Sequence, residues 1–463
     1  MLSIKEKFIG DKQFYKKVLA VAVPIMVQNG ITNFVSLLDN IMVGRVGTEQ
    51  MSGVAIVNQL IMIYFLCIFG GVAGAGIFTA QYYGENNDEG IRHTFRYKIW
   101  IGTIITVIAV AIFLLFGEPL INSYLNGNSD GGDLSSALKY GKSYLNVILF
   151  GLPPFVMLQV YSGTLRECGQ TVIPMKAGIV AVVVNLVFNY LLIYGKFGFP
   201  ELGVTGAALA TVISRYVEAA IVIIWSHCNP DKNTYIRGIY KTLIIPVNLF
   251  KRFFWKGLPL LVNETMWSAG MAMLAQSYSL RGLSVVAGLN IANTISNVFN
   301  VVFIALGDAV AIIVGQLLGA KKHKEARDTD NKLIAFSVIS CVFIGLIMLT
   351  VAPVFPKLYN TTEQARGVAV AFIIAQAVFM PQNAYIHATY FTLRSGGKTI
   401  VTFLFDSVYM WFISVPLAFL LSRYTLIPAV WIYVSVQIVD WIKCIIGFIL
   451  VKKGVWIQNI VSE

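Results

Sequence analysis

Twelve stretches of about 20 predominantly apolar residues recur along the chain, and no other feature restricts its fold as tightly. A helix of that length matches the hydrocarbon core of a bilayer and satisfies its backbone polar groups internally. The runs lie near residues 16–40, 51–80, 97–117, 138–163, 173–195 and 203–227, then 254–280, 285–318, 332–355, 363–391, 399–422 and 426–451. They are continuously apolar, without the alternation of barrel strands, which disfavours a closed barrel. Charge is scarce, at 13% of residues, about half the share in soluble domains. The expected fold is therefore an all-α polytopic membrane protein with 12 transmembrane helices. The opening "MLSIKEKFIGDKQFYKK" is basic but has no short apolar core or small-residue cleavage site. The first run is thus expected to remain as a span.

The formal net charge of +12 follows from where Lys and Arg lie. With both termini cytoplasmic, inner loops and tails hold roughly 25 of them and outer loops roughly 8, the bias of the positive-inside rule. "NGNSDGGDLSS", in an outer loop, has none. The basic run "GAKKHKEARD" follows an apolar segment and lacks interleaved aromatics, so no nucleic-acid partner is expected. The five cysteines are scattered and suggest neither a disulfide framework nor a zinc site.

An internal repeat organises the runs. "GTEQMSGVAIVNQLIMIYFLCIFGGVAGAGIFTAQYYG" from Gly47 matches "GLSVVAGLNIANTISNVFNVVFIALGDAVAIIVGQLLG" from Gly282 without a gap. The offset pairs Gly53 with Gly288, Asn58 with Asn293, Gln81 with Gln316, Gly84 with Gly319 and Arg92 with Arg327. "TLRECGQT" from Thr164 is echoed by "TLRSGGKT" from Thr392. Six spans per copy give both halves one orientation, so two pseudo-symmetric six-helix bundles form a parallel repeat, with substrate between them. The expected division is an N-lobe (1–227), a cytoplasmic basic linker (228–253) and a C-lobe (254–463).

The motifs "DNIMVGRVG", "TAQYYG", "LRECGQT", "NLVFNYLLIYG", "GVTGAALATVIS", "VGQLLGAKKHKEA" and "LRSGGKT" together resemble the multidrug and toxic compound extrusion (MATE) transporters of bacterial type. The resemblance covers essentially the whole chain. It implies two six-helix lobes around a central cavity, and export of organic cations and amphipathic drugs in exchange for H⁺ or Na⁺ by alternating access.

Asp39 lies within the first span, where a carboxylate costs about 2.5–3.5 kcal/mol on insertion scales. The resemblance makes it the N-lobe coupling carboxylate. Asn185 and Asn189, spaced i and i+4, share a helix face. The resemblance places them near Asp39, with Thr211 as a further polar lining residue. Some members carry a carboxylate where this chain has Asn189. One carboxylate, two amides and a hydroxyl suit one Na⁺ or one H⁺, and would be the metal ligands in the sodium case.

In the C-lobe, Glu264, Asp308 and Asp406 are candidate coupling or substrate residues. Asp308 lies about 16 Å from the inner end of its helix, close to the midplane. Some relatives place a seventh-span Glu where Trp267 stands and a tenth-span Asp where Asn383 stands, so Asn383 joins the candidates. His387 stands inside a span, where it either packs or meets substrate. Trp267, Tyr385 and Tyr409 are candidate cation-binding aromatics, with Trp411 beside them. Asp440 with Lys443, and Arg215 with Glu218, are each i and i+3 and read as internal ion pairs. Pro24 interrupts the first span's hydrogen bonding and is the candidate hinge.

The chain has no GxxxxGK[ST] phosphate loop, nucleophile elbow or HExxH, so neither ATP-driven nor enzymatic chemistry is expected, and no cofactor beyond the coupling ion. The alternative within the same broad superfamily is a lipid-linked sugar flippase, which the scarcity of Lys and Arg inside spans disfavours. A functional monomer in the bacterial inner (plasma) membrane, with a small cationic substrate and the lipid bilayer as partners, completes the expectation.

Overall fold

The structure, a computed structural model, describes residues 7–125 and 134–462. Among these residues there is no strand. The first half comprises α1 (Lys12–Gly44), α2 (Thr48–Gly84), α3 (Asp88–Leu125), α4 (Leu134–Ile148), α5 (Leu152–Glu167), α6 (Val172–Tyr194) and α7 (Val204–Cys228). A single 3₁₀ turn, Leu149–Gly151, joins α4 to α5 within one span. The second half holds α8 (Val247–Ser279), α9 (Leu283–Gly319), α10 (His323–Val351), α11 (Glu363–Ser395), α12 (Thr399–Phe403), α13 (Val415–Tyr424) and α14 (Ala429–Lys453). Two π-helical turns, Leu404–Val408 and Met410–Ser414, connect α12 and α13 into one span.

Eleven of these spans are long and apolar enough to cross a membrane. The seventh, α8, is as long as α1 but carries Lys251, Arg252, Lys256 and Glu264 among its apolar residues. Several helices outrun their apolar cores. The third begins at Asp88 rather than near residue 97, with Asp88 and Glu89 in its first turn, where acids complement the helix dipole.

The chain forms two compact units, each drawing on both halves of the sequence. One contains residues up to Met26, Ala80–Asn87 and everything from Leu258 onward. Its core packs Val18, Ala22 and Ile25 of α1 with Ala305, Ala309 and Ile313 of α9 and Leu393 of α11. The small residues let these helices approach closely, as membrane helix packing requires.

Within this unit the repeat pairs meet reciprocally. A methyl group on Gly84 would collide with the Gln316 carbonyl, and one on Gly319 with the Gln81 carbonyl. Only glycine permits both approaches. The Gln81 side chain donates to the Ser395 carbonyl at 3.0 Å and accepts from the Ile460 amide at 2.8 Å. Asn459 donates to the Leu318 and Gly319 carbonyls. The chain's last described residues are thereby tied across this crossing, with Trp456 fully buried.

The second unit spans Val27–Thr79 and Asp88–Gly257, and so includes the segment expected to be a linker. That segment is docked along one face of α3, at four-residue intervals. Asp88 accepts from Thr234, Arg92 donates to the Tyr235 carbonyl, Arg96 to the Ile239 carbonyl and Trp100 to the Leu243 carbonyl, at 2.8–3.1 Å. These hydrogen bonds, three of them to backbone carbonyls, fix a segment that also buries Tyr235, Ile236 and Ile239.

Pro24 is buried inside α1, two residues before the helix passes from one unit to the other. At the repeat offset stands Pro259, inside α8 and one residue past the equivalent boundary. Pro259 has the same helix-weakening chemistry and was not singled out from the sequence.

Candidate functional site

Helices α6 and α7 form a hairpin whose closeness depends on glycine. Gly195, with φ of 61°, ends α6 in the left-handed region. Gly206 sits where a Cβ would lie 2.5 Å from the Leu192 carbonyl oxygen. The hairpin therefore brings Thr211 of α7 to within 3.4 Å of the Asn185 amide nitrogen. One turn along α6, Asn189 donates from Nδ2 to Asn185 Oδ1 at 3.1 Å and to Asp39 Oδ1 of α1 at 2.5 Å. The result is a continuous chain, Asp39–Asn189–Asn185–Thr211, joining three helices within one unit.

The two amides are buried, Asn185 at 4% exposure and Asn189 at 1%, while Asp39 and Thr211 are half-buried. Asn189 Oδ1 has no hydrogen-bond partner. A second tie, from the Tyr194 hydroxyl to the Met42 carbonyl at 3.1 Å, holds α1 against α6. Arg215 lies one turn beyond Thr211 and acts on Asp39 electrostatically, yet its guanidinium is paired with Glu218 at 3.0 Å. The internal pair expected at these residues forms. The cluster thus offers one carboxylate with no ion pair among the described residues, held by an amide N–H and with amide and hydroxyl oxygens beyond it.

The other unit has its own polar chain. Tyr390 donates to Glu264 Oε1 at 3.4 Å, Asn263 donates to the Tyr390 hydroxyl at 3.3 Å and to Asp406 Oδ2 at 3.2 Å, and Lys443 donates to Asp406 Oδ1 at 2.7 Å. Asp308 and Arg394 lie close enough to act on Glu264. Lys443 was expected to pair with Asp440 along its own helix. It turns instead across to α12's π-helical extension, and Asp440 accepts from Ser414 at 3.2 Å. The π turns, which recur at functional sites, re-aim Asp406 and Ser407 toward α8, where Ser407 donates to Asn263 Oδ1 at 2.7 Å.

The remaining candidates are dispersed. His387 is enclosed by Phe303, Tyr390 and Phe391, with its Nε2 buried and unpartnered, and Gly307 leaves room for the ring. Asn383 is half-buried on the same helix. Trp267 is 40% exposed. Tyr385 packs with Ile334, Ala388 and Val451. The Tyr409 hydroxyl donates to the Val439 carbonyl, and Trp411 Nε1 to the Met266 carbonyl, both at 2.8 Å.

Glu264 is not the repeat counterpart of Asp39. It follows Pro259 by five residues, whereas Asp39 follows Pro24 by fifteen. The difference is about 15 Å along a helix, so the two acids do not stand at matched positions in the repeat.

Comparison with known proteins decides the relationship. The MatE family model matches this chain twice, over residues 24–191 and 260–420. The chain belongs to the MatE family. The two matched segments coincide with the two copies of the repeat. Curated relatives of this MatE protein include a probable multidrug resistance protein NorM from Thermotoga maritima, 25% identical over 88% of this chain and 86% of the relative. The multidrug resistance protein MdtK from Pectobacterium atrosepticum is 25% identical over 88% and 87%. Among solved structures, a mutant of the Vibrio cholerae MATE transporter VcmN superposes with a TM-score of 0.86 at 16% identity, covering 97% of this chain and 99% of that one. An outward-facing multidrug resistance MATE family transporter superposes at 0.80 and 19%, covering 98% of each. These likenesses establish the fold of a multi-pass membrane transporter.

Sequence reasoning missed Lys443, Asn263 and Tyr390 as members of the C-lobe chain. Asn263 directly precedes Glu264, and that pair of polar residues in an apolar run was the available signal. The partner of Lys443 had none, because it is set by a π turn on another helix.

Proposed function

We propose that this protein is a secondary active antiporter that exports organic cations and amphipathic drugs in exchange for H⁺ or Na⁺ by alternating access. The observation that carries the reading is the Asp39–Asn189–Asn185–Thr211 chain inside the spans. It supplies a lone carboxylate with neutral oxygen donors, the chemistry that takes one hard monovalent cation. A cationic drug and the coupling ion both favour or consume the same negative charge, so each weakens the other's binding. Asp39 is the coupling carboxylate, Asn185, Asn189 and Thr211 orient and share its charge, and Pro24 allows α1 to bend.

In the C-lobe, Asp406 is neutralised by Lys443, which leaves Glu264, with Asp308 close enough to act on it, as the better-placed acid for a substrate cation; Asn383 and His387 are further candidates on α11. Lys98 and Lys443, both buried, are ion-paired with Glu167 and Asp406, and that supports a cationic substrate over an anionic lipid-linked sugar. The protein works as a monomer in the bacterial inner membrane with both termini cytoplasmic, and performs no covalent chemistry.

Ethidium efflux in energised vesicles, with Na⁺ and pH gradients imposed separately, tests this. The wild type should respond to one gradient, and Asp39→Asn should lose that response. Full gradient-driven efflux by Asp39→Asn overturns the site assignment, and no flux of any cation overturns the exporter reading.

A further inference from the structure

One buried carboxylate takes no part in either chain. Asp330 lies two turns into α10 and is 0% exposed. Its Oδ1 accepts from Thr392 Oγ1 of α11 at 2.5 Å, and its Oδ2 has no partner. Among the described residues no ion pair reaches it. Arg327, one turn earlier, is engaged with the Lys452 carbonyl of α14, and Arg394 of α11 lies over the Phe391 ring. The titratable neighbour from α11 is the Tyr385 phenol.

The repeat shows what is unusual here. The counterpart of Thr392 is Thr164, whose hydroxyl accepts from Lys98 at 3.1 Å, and Lys98 is in turn paired with Glu167. In the first half, then, the matched hydroxyl serves a balanced ion pair. In the second it serves a carboxylate alone.

Oxygen donors continue along the α10–α11 seam. Antiparallel packing sets Asp330 opposite Thr392 and Ile334 beside Ala388. Thr389 therefore follows Thr392 one turn further along the same face. Thr389 Oγ1, which the Tyr385 hydroxyl approaches, makes no hydrogen bond of good geometry, and it too is 0% exposed. A solitary carboxylate shielded from water is strongly disfavoured unless a cation or proton neutralises it. The donors present are all oxygens, and a fully buried seam admits nothing as large as an organic cation.

We propose that the seam formed by Asp330, Thr392 and Thr389 binds one small monovalent cation, a proton or a sodium ion, at a site separate from Asp39. The antiporter reading enters only in the consequence, a second ion available to each transport cycle. Binding itself does not depend on it.

The test uses the purified full-length protein in detergent, with ²²Na⁺ equilibrium binding and infrared detection of protonated carboxyl groups. Wild type, Asp330→Asn, Asp39→Asn and the double variant are compared. Asp330→Asn should remove either one bound Na⁺ per chain or one protonated-carboxyl band, and these outcomes identify sodium and proton respectively. The double variant should lose more than either single one. If Asp330→Asn does not fold, Thr392→Val, which keeps the acid, should weaken Na⁺ binding several-fold or shift the carboxyl band. Unchanged sodium count and unchanged carboxyl bands in the folded variant overturn the proposal. Efflux by Asp39→Asn is a separate experiment, so failure here leaves the transport reading standing.

Discussion

Replacing Gly206 by alanine probes the link between the α6–α7 hairpin and the Asp39 cluster. The added Cβ would lie 2.5 Å from the Leu192 carbonyl oxygen, whereas a comfortable carbon–oxygen contact is about 3.3 Å. The helices must part by about 0.8 Å, because the obstacle is backbone and cannot rotate away. Overpacking of this kind costs about 1–3 kcal/mol. Alanine's better helix propensity offsets up to about 1 kcal/mol of that. The net loss should lie between about 0 and 3 kcal/mol, centred on about 1.5 kcal/mol.

The functional effect should be larger than the stability effect suggests. The Asn185–Thr211 contact is already 3.4 Å, at the long edge of hydrogen bonding, so any parting breaks it and withdraws Thr211 from the cluster. Gly367, on α11 with nothing within 4 Å of its would-be Cβ, is the control. Alanine there should stabilise by about 0.5–1 kcal/mol. Thermal unfolding in detergent, paired with the coupling-ion concentration giving half-maximal efflux, reads both effects. If Gly206→Ala is as stable as Gly367→Ala, the close approach is wrong. If it is destabilised with unchanged ion dependence, Thr211 does not serve the site.

Further outcomes are open to direct measurement. Gly84→Ala and Gly319→Ala should each lower the melting temperature. The double variant should lose less than the sum, since one parting of the crossing relieves both clashes; strict additivity would contradict a shared crossing. Lys443→Met should destabilise by about 1.5–3 kcal/mol by leaving the half-buried Asp406 without its cation. Adding Asp406→Asn should recover most of that in the same unfolding assay, and no recovery would mean the pair is not coupled. Pro24→Ala should slow efflux without abolishing drug binding, and unaltered rate and coupling would remove the hinge. Asn189→Ala should lower the half-maximal ion concentration if the ion is a proton, because Asp39 loses a donor at 2.5 Å that favours its charged form, and raise it if the ion is sodium, because the unpartnered Asn189 oxygen is lost; an unchanged value would place the ion elsewhere.

The parts of the molecule set by local pattern were legible in advance. Apolar run length marked the spans, and the Gly, Asn and Gln positions marked the repeat, whose pairs Gly84–Gly319 and Gln81–Gln316 meet across one crossing. Asn185 and Asn189 could be placed on one face by spacing alone, and the hairpin then brings Thr211 to them. What escaped were features decided by tertiary contact. Local spacing paired Lys443 with Asp440, yet a π turn offers it Asp406 at 2.7 Å. Residues 228–253 read as a basic linker because three of the hydrogen bonds that dock them on α3 go to backbone carbonyls, which sequence does not display. Asp330 looks like one acid in a polar stretch, and only the packing of α10 on α11 shows it to be buried and unpaired.

The central claim is that drug and coupling ion contend for the charge on Asp39. Calorimetric titration of ethidium into the purified protein, repeated in buffers of different ionisation enthalpy and at several Na⁺ concentrations, counts the ions released per drug bound. Wild type should release one proton or one sodium ion on account of Asp39, and Asp39→Asn should release one fewer. Equal release from both proteins would contradict the account.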